Sequence, residues 1–219
     1  MKLSSDTIKI LQNFSTINPS ILLKPGKIQR TISPQKNIFA EAVIEEEFPI
    51  ECGIYELPRF LNTLTLFDNP ELDFQPSYVE ITSNGSSNKI KYFYASSTLI
   101  IAPPDKNLQI DEEVDTFTLD QDTFSKLSKA SAIMGVSDFV IESNSKERII
   151  KTCNNKSKSS PTFIVSQKVK GGSAYNIVMN HDNLKVLPFD YEVVVGKIKN
   201  VNIVQLVGKT VKSVSYTHL

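Results

Sequence analysis

Leu3-Ser4-Ser5-Asp6-Thr7-Ile8-Lys9-Ile10-Leu11-Gln12-Asn13-Phe14-Ser15-Thr16-Ile17-Asn18 stands near the start of the chain and reads as one amphipathic helix. Ser4 suits the N-cap, where a short hydroxyl side chain accepts from a backbone N–H that has no helical partner. Asp6 in the first turn suits the positive end of the helix dipole. Thr7, Ile10, Leu11, Phe14 and Ile17 fall on one side at helical spacing, with Ser5, Lys9, Gln12 and Thr16 opposite. Asn18-Pro19 stops the helix, because a residue before proline is pushed out of helical geometry. The pattern then returns. Leu3, Asp6, Thr7, Ile8, Leu11, Ser15 and Ile17 correspond to Leu119, Asp122, Thr123, Phe124, Leu127, Ser131 and Ile133 at a constant offset of 116.

Between the two copies lie short strand-like runs at Ile21–Leu23, Ile28–Ile32, Ile38–Ile44 and Phe48–Ile54. Pro25-Gly26 and the polar Pro34-Gln35-Lys36-Asn37 break them. A second helix is expected over Leu57–Leu66, with Pro58 tolerated in its first turn. Strands follow at Glu71–Phe74, Tyr78–Thr82 and Lys89–Tyr94, and Asn84-Gly85 marks a hairpin. Past the second copy, strands are expected around Phe139–Glu142, Arg148–Cys153, Thr162–Val169 and Tyr175–Met179, with Gly171-Gly172 as a turn. A short fourth helix is expected over His181–Leu187. It echoes the second: Ile54, Leu61 and Leu64 match Ile177, Leu184 and Leu187. Tyr191–Val195 and Val201–Leu206 complete the series. Two matches in the same order indicate an internal duplication. Each half then has two helices and a strand-rich remainder, an α+β arrangement with helices on one face of antiparallel sheet.

Residues 100–114 read as a connecting segment, since Pro103-Pro104 and a run of acids disfavour both helix and central strand. Ile100, Leu108, Ile110 and Val114 are too apolar for a solvated tether, so the segment is expected to lie along the surface. The domain expectation is therefore 1–99, 100–114 and 115–219.

The net charge is zero, yet it is unevenly spread. Residues 1–100 hold 9 basic and 11 acidic groups, residues 101–118 hold 1 and 5, and residues 119–219 hold 14 and 8. A neutral total can therefore hide a basic face; ordinary surface scatter is the other reading. No apolar run approaches the roughly 18–20 residues of a membrane span. The start turns polar at once, unlike a secretory signal. Cys52 and Cys153 are far apart, and two buried thiols in a reducing compartment are the expectation, with a disulfide the alternative. A cytoplasmic protein is expected.

Met1-Lys2-Leu3-Ser4-x-Asp6-Thr7, continued by Leu11-x-Asn13-Phe14-x-Thr16-Ile17-Asn18, resembles the sliding clamps of T-even-type tailed bacteriophages, the processivity factors of replicative DNA polymerases. Ile54-Tyr55-Glu56-Leu57-x-x-Phe60-Leu61 with Leu64-x-Leu66, and Ile100-Ile101-Ala102-Pro103, add to the likeness. The resemblance implies two like domains per subunit and a homotrimeric ring around duplex DNA, with helices inside and sheet outside. It implies sequence-independent DNA binding, partnership with a replicative polymerase, a clamp loader and the late-transcription machinery, and a place in the cytoplasm of the infected host. It implies neither catalytic group nor cofactor. Two departures stand out. Gln12 occupies a place where the family can have a basic residue. Ser213-Val214-Ser215-Tyr216-Thr217-His218-Leu219 does not resemble the apolar strand the family would continue with, which leads one to expect an incomplete last sheet.

Sequence-independent binding to DNA needs cations facing phosphates. The candidates are Lys9 on the first helix, Arg59 on the second, Lys126 and Lys129 on the third and Lys185 on the fourth, with Lys129 matching a basic position of the family. Each could equally be a solvated surface cation. The family's partners dock short peptides beneath the connecting segment. Ile100, Leu108, Ile110, Leu187 and Pro188 are the candidates for that site, or else simply hold the segment in place.

No catalytic or metal-ligand constellation is readable. His181 and His218 are the only histidines, the cysteines lack zinc spacing, and Gly208-Lys209-Thr210 reads as a turn because Ile203 stands where a phosphate loop needs glycine. Glu45-Glu46-Glu47 reads as a solvated loop or edge, since neighbouring carboxylates on a strand point to opposite faces. A clamp subunit is the leading reading. A non-catalytic structural or assembly module built from duplicated α+β domains is the alternative, and a hydrolase with an unrecognised site is the weakest.

Overall fold

The computed structural model describes residues 1–83, 87–105, 109–144, 146–169 and 171–216. The chain divides into two compact units, Met1–Asp105 and Lys106–Leu219. Among the described residues, no helix is long and apolar enough to cross a membrane.

In the first unit, α1 spans Ser5–Ile17. Ser4 is its N-cap, accepting the Thr7 N–H at 3.2 Å, and Asn18 ends it in extended backbone before Pro19. Its apolar stripe of Ile10, Leu11, Phe14 and Ile17 is buried against α2 (Leu57–Leu64) and β3 (Ile38–Phe48). Full burial of a side chain such as Leu11 or Phe14 stabilises by about 1.5–3 kcal/mol. β1 (Ile21–Leu23) pairs antiparallel with β4 (Cys52–Ile54), and β2 (Gly26–Ile32) with β3. β5 (Glu71–Phe74), β6 (Tyr78–Thr82) and β7 (Lys89–Phe93) form a three-stranded antiparallel sheet. β3 is one strand of 11 residues running through Glu45–Glu47, where the sequence suggested a break. The expected Asn84-Gly85 hairpin lies outside the described residues.

In the second unit, β8 (Glu112–Leu119) leads into α3 (Gln121–Met134), whose N-cap Asp120 accepts the Thr123 N–H at 2.7 Å. Asp120 stands 116 residues after Ser4, so the capping interaction itself is duplicated. Gly135, in left-handed backbone with φ 63°, ends α3. β9 (Asp138–Ser143), β10 (Glu147–Cys153), β11 (Phe163–Lys168) and β12 (Tyr175–Asn180) form an antiparallel sheet in the order β11-β10-β9-β12. β8, β13 (Tyr191–Ile198), β14 (Val201–Val207) and β15 (Val211–Tyr216) pair antiparallel in the order β8-β13-β14-β15. Phe117, Leu127, Phe139, Ile150, Val193 and Val204 are among the side chains that meet in the core between them.

Four expectations need correction. The connecting segment ends sooner than residue 114, because Glu112 already begins β8 and pairs with Lys197. The fourth helix is absent: only a 3₁₀ turn forms over His181–Asn183, capped by Asn180. Leu184 leaves helical geometry with ψ 53°, which ends the turn there. Among its described residues the second unit thus has one α-helix, not two. Ile133, matched in sequence to the buried Ile17, is 85% exposed, and Val136 beyond the Gly135 cap is buried instead. Finally, Val211–Tyr216 is a strand: Ser213 faces Leu206, and Val214, wholly buried, faces Gln205, so these residues join the sheet that was expected to lack them.

Both cysteines are buried free thiols, and burial pushes the Cys52 thiol up to about 12.

Candidate nucleic-acid interface and linker site

Each α-helix buries one side against its own unit and turns a polar side outward. On α1 the outward residues are Ser5, Asp6, Lys9, Gln12 and Thr16. Lys9 Nζ lies 3.0 Å from Asp6 Oδ1, one turn earlier. On α2, Arg59 is exposed and its Nη1 lies 2.6 Å from Glu56 Oε2, the residue preceding the helix. Lys126 on α3 pairs with Asp122 at 2.5 Å, and that contact holds its ammonium above the ordinary lysine value. Lys129, one turn further along α3, is exposed and forms no ion pair among the described residues. Lys185 sits in the irregular stretch after the 3₁₀ turn and is half-buried, so the helical placement expected for it does not hold. Four of the five candidate cations therefore stand on or beside α-helices, and three of those four share their charge with a carboxylate one turn away.

The candidate linker residues divide differently. Ile100 is buried, and its Cδ1 would lie 2.7 Å from a Cβ placed on Gly53, so a glycine is required for it to seat. Ile110, half-buried, makes the same demand on Gly196, where an added Cβ would meet Ile110 Cγ2 at 2.7 Å. Leu108 lies outside the described residues. Leu187 is half-buried, its carbonyl accepting the Tyr191 hydroxyl at 2.6 Å, and Pro188 is exposed. The Asn18 amide donates to the Ile101 carbonyl at 3.1 Å, and Arg30 donates to the Asp105 carbonyl at 3.3 Å. Beside this docked segment a cavity of about 390 Å³ opens between β1, β2 and the linker, lined by Leu22, Lys24, Ile28, Arg30, Ala102 and Pro103, among others. Hydrogen bonding to Glu51 raises the Lys24 ammonium above its ordinary value. Sequence reasoning missed the β1 and β2 half of this cavity, because their alternating residues carried no signal beyond strand.

Glu46 was also missed. Instead of being solvated, its carboxylate accepts the Thr7 hydroxyl at 2.5 Å and the Ser4 N–H. Burial alone would raise its pKa; the bonds from Thr7 and Ser4 outweigh that and lower it. A second missed feature is the free sheet edge. β7 is paired on one side by β6, β11 on one side by β10. Phe93 on β7 and Ile164 on β11 are large, exposed apolar residues on those strands.

A family model described as DNA polymerase processivity factor matches residues 4–102. The sliding clamp of Vibrio phage KVP40 is 31% identical over 199 residues, covering 88% of this chain and 89% of that protein. The proliferating cellular nuclear antigen of Entamoeba histolytica has a similar structure, with a TM-score of 0.64 at 14% identity over 97% of this chain and 94% of that one. The Helicobacter pylori beta clamp bound to a DNA ligase peptide gives a TM-score of 0.68 at 10% identity, over all of this chain and 65% of that one. The chain thus spans less than two thirds of the bacterial clamp's length. With its duplicated, capped helices laid on antiparallel sheet and its sequence kinship to a phage clamp, the chain belongs to the sliding-clamp family of DNA polymerase processivity factors.

Proposed function

We propose that the chain is one subunit of a homotrimeric ring that encircles duplex DNA and tethers the replicative polymerase without chemistry of its own. On this reading the two units are clamp domains joined by a connecting segment that begins at residue 100 and ends where β8 starts at Glu112, and the ring is loaded by a clamp loader in the cytoplasm of the infected host. The late-transcription machinery is a further partner. The observation that carries the reading is the repeated helix, capped identically at Ser4 and Asp120, with an apolar face buried and a polar face outward. It gives the chain two equivalent surfaces suited to the same ligand, as a ring around a helical polymer requires. Lys129 is the leading phosphate contact; Lys9, Arg59, Lys126 and Lys185 contribute less.

Two surfaces supply the rest of the function. The single-sided edges of β7 and β11 suit pairing between subunits, with Phe93 and Ile164 as apolar contacts. The cavity beside the linker suits a short peptide tail with an apolar anchor, and the Helicobacter clamp is bound to a DNA ligase peptide. Family membership favours the ring over a structural or assembly module.

The test combines the protein with cognate loader, ATP and either circular or linear duplex. Retention on the circle with loss from the linear form is expected. Equal, salt-labile binding to both forms would overturn the mechanism.

A further inference from the structure

The connection between β10 and β11, Asn154-Asn155-Lys156-Ser157-Lys158-Ser159-Ser160-Pro161-Thr162, stands apart from the helical surfaces. Between Glu147 and Asp182 the sequence contains no acidic residue. Of the cations in that interval, Arg148 is bound to Asp115 and Lys151 to Glu142. Lys156 and Lys158 are exposed and form no ion pair among the described residues.

We propose that this loop is an additional phosphate-contacting element, with Lys156 and Lys158 binding the backbone of duplex DNA. The proposal rests on the clamp reading above. Its chemistry is that of a backbone ligand: every side chain from Asn154 to Ser160 is an amide, a hydroxyl or an ammonium, the groups that contact phosphate oxygens. A protein-docking loop of the usual kind needs apolar or aromatic anchors, and these seven residues include none.

The loop is also ordered before any ligand arrives, which lowers the entropy lost on binding. Asn155 N–H donates to Asp138 Oδ2 at 2.7 Å, Asn154 N–H to Ser160 Oγ at 2.9 Å, and Lys156 N–H to Asn154 Oδ1 at 3.1 Å. Its position follows from strand register. Cys153 pairs with Asp138 at the start of β9, three residues beyond the Gly135 cap of α3. The loop therefore leaves the sheet at the C-terminal end of the helix that presents Lys126 and Lys129. Asp138 is the carboxylate nearest in sequence register, and it is occupied by the Asn155 backbone.

The test uses the full chain and a Lys156→Gln/Lys158→Gln double variant, with Lys156→Arg/Lys158→Arg as control. Binding to a fluorescent duplex is measured across a salt series, alongside loader-dependent retention on circular DNA. The Gln variant is expected to bind the duplex several-fold more weakly at low salt, about threefold per lost contact, with a log–log salt slope shallower by up to about two. The Arg variant is expected to behave as the parent, and all three proteins to melt at the same temperature. Unchanged affinity and slope in the Gln variant would overturn the proposal. So would unchanged DNA binding with lost polymerase stimulation, which would assign the loop to an acidic protein surface. Failure of the parent itself to stay on the circle would instead overturn the clamp reading.

Discussion

The Glu46 carboxylate on β3 accepts the hydroxyl hydrogen of Thr7 in the first turn of α1 at 2.5 Å. With the Ser4 N–H bound to its other oxygen, it closes the helix N-terminus from a strand some 40 residues away in sequence. Such charge-assisted bonds are worth about 1.5–3 kcal/mol when the donors are otherwise buried. Glu46→Gln should cost about 1–2 kcal/mol at neutral pH, read by urea denaturation. The folded-state pKa lies below its ordinary value, so the carboxylate's contribution is complete above the ordinary carboxylate range. It disappears as pH falls through the lowered folded value. The parent should therefore lose its advantage over the Gln variant in acid, and a pH-independent gap would contradict this.

Gly53→Ala should destabilise the first unit by about 1–3 kcal/mol, since the new Cβ would come within 2.7 Å of both the Ala95 carbonyl oxygen and Ile100 Cδ1. One of these atoms is backbone and yields little. Gly196→Ala should act likewise on the second unit, where the Glu112 carbonyl oxygen would lie 2.6 Å away. Thermal melting of the two variants checks both; a melting point equal to the parent's would show that the linker ends shift freely.

Arg148 is nearly enclosed. Its Nη2 lies 2.6 Å from Asp115 Oδ2, its Nη1 donates to Gln167, and its guanidinium sits 4.1 Å from the Phe117 ring centroid. The Tyr175 hydroxyl donates to the same Asp115 oxygen, and its pKa is pushed up to about 12, by burial first and then by Asp115. Arg148→Met should cost about 3–5 kcal/mol, because it strands the Asp115 charge. Adding Asp115→Leu should recover much of the loss, and a double-mutant cycle in denaturant measures how much.

Lys129→Glu should shorten the products of processive primer extension while leaving the melting temperature unchanged. Lys126→Glu should do so less, because Asp122 already shares the Lys126 charge. Equal effects would remove the distinction drawn between a paired and an unpaired cation.

If subunits close the proposed trimeric ring through the edge of β7, Phe93→Asp should shift the solution mass from trimer to monomer at micromolar concentration. Light scattering distinguishes the two, and an unchanged trimer would move the subunit contact elsewhere.

The α1 helix was fully legible because each of its determinants is local: the Ser4 cap, the stripe from Thr7 to Ile17 and the Pro19 stop. Strand existence was legible for the same reason, whereas strand partners were not. Glu46 looked like one of three solvated acids because its role depends on β3 crossing the start of α1, a contact that no local pattern records. The missing fourth helix shows the opposite error: Leu184 and Leu187 keep the apolar spacing of α2, but the chain leaves helical geometry at Leu184 after a single 3₁₀ turn. Lys185 was misplaced with it. Ile133 was misread because the duplication is imperfect at the end of α3, where Gly135 turns the chain and Val136 takes the buried place.

Three of the four cations on or beside α-helices face a carboxylate three or four positions earlier: Lys9 with Asp6, Arg59 with Glu56, and Lys126 with Asp122. In a ring whose helices face the duplex, a phosphate drawing one of these cations must compete with that neighbour. What it gains by contact is largely offset by the pair it disrupts, and exposed pairs of this kind differ from separation by well under about 1 kcal/mol. The free energy of the ring then varies little from one phosphate to the next. The acidic residues on the helices would act as a lubricant, leaving the lining too evenly compensated to stick to any one phosphate.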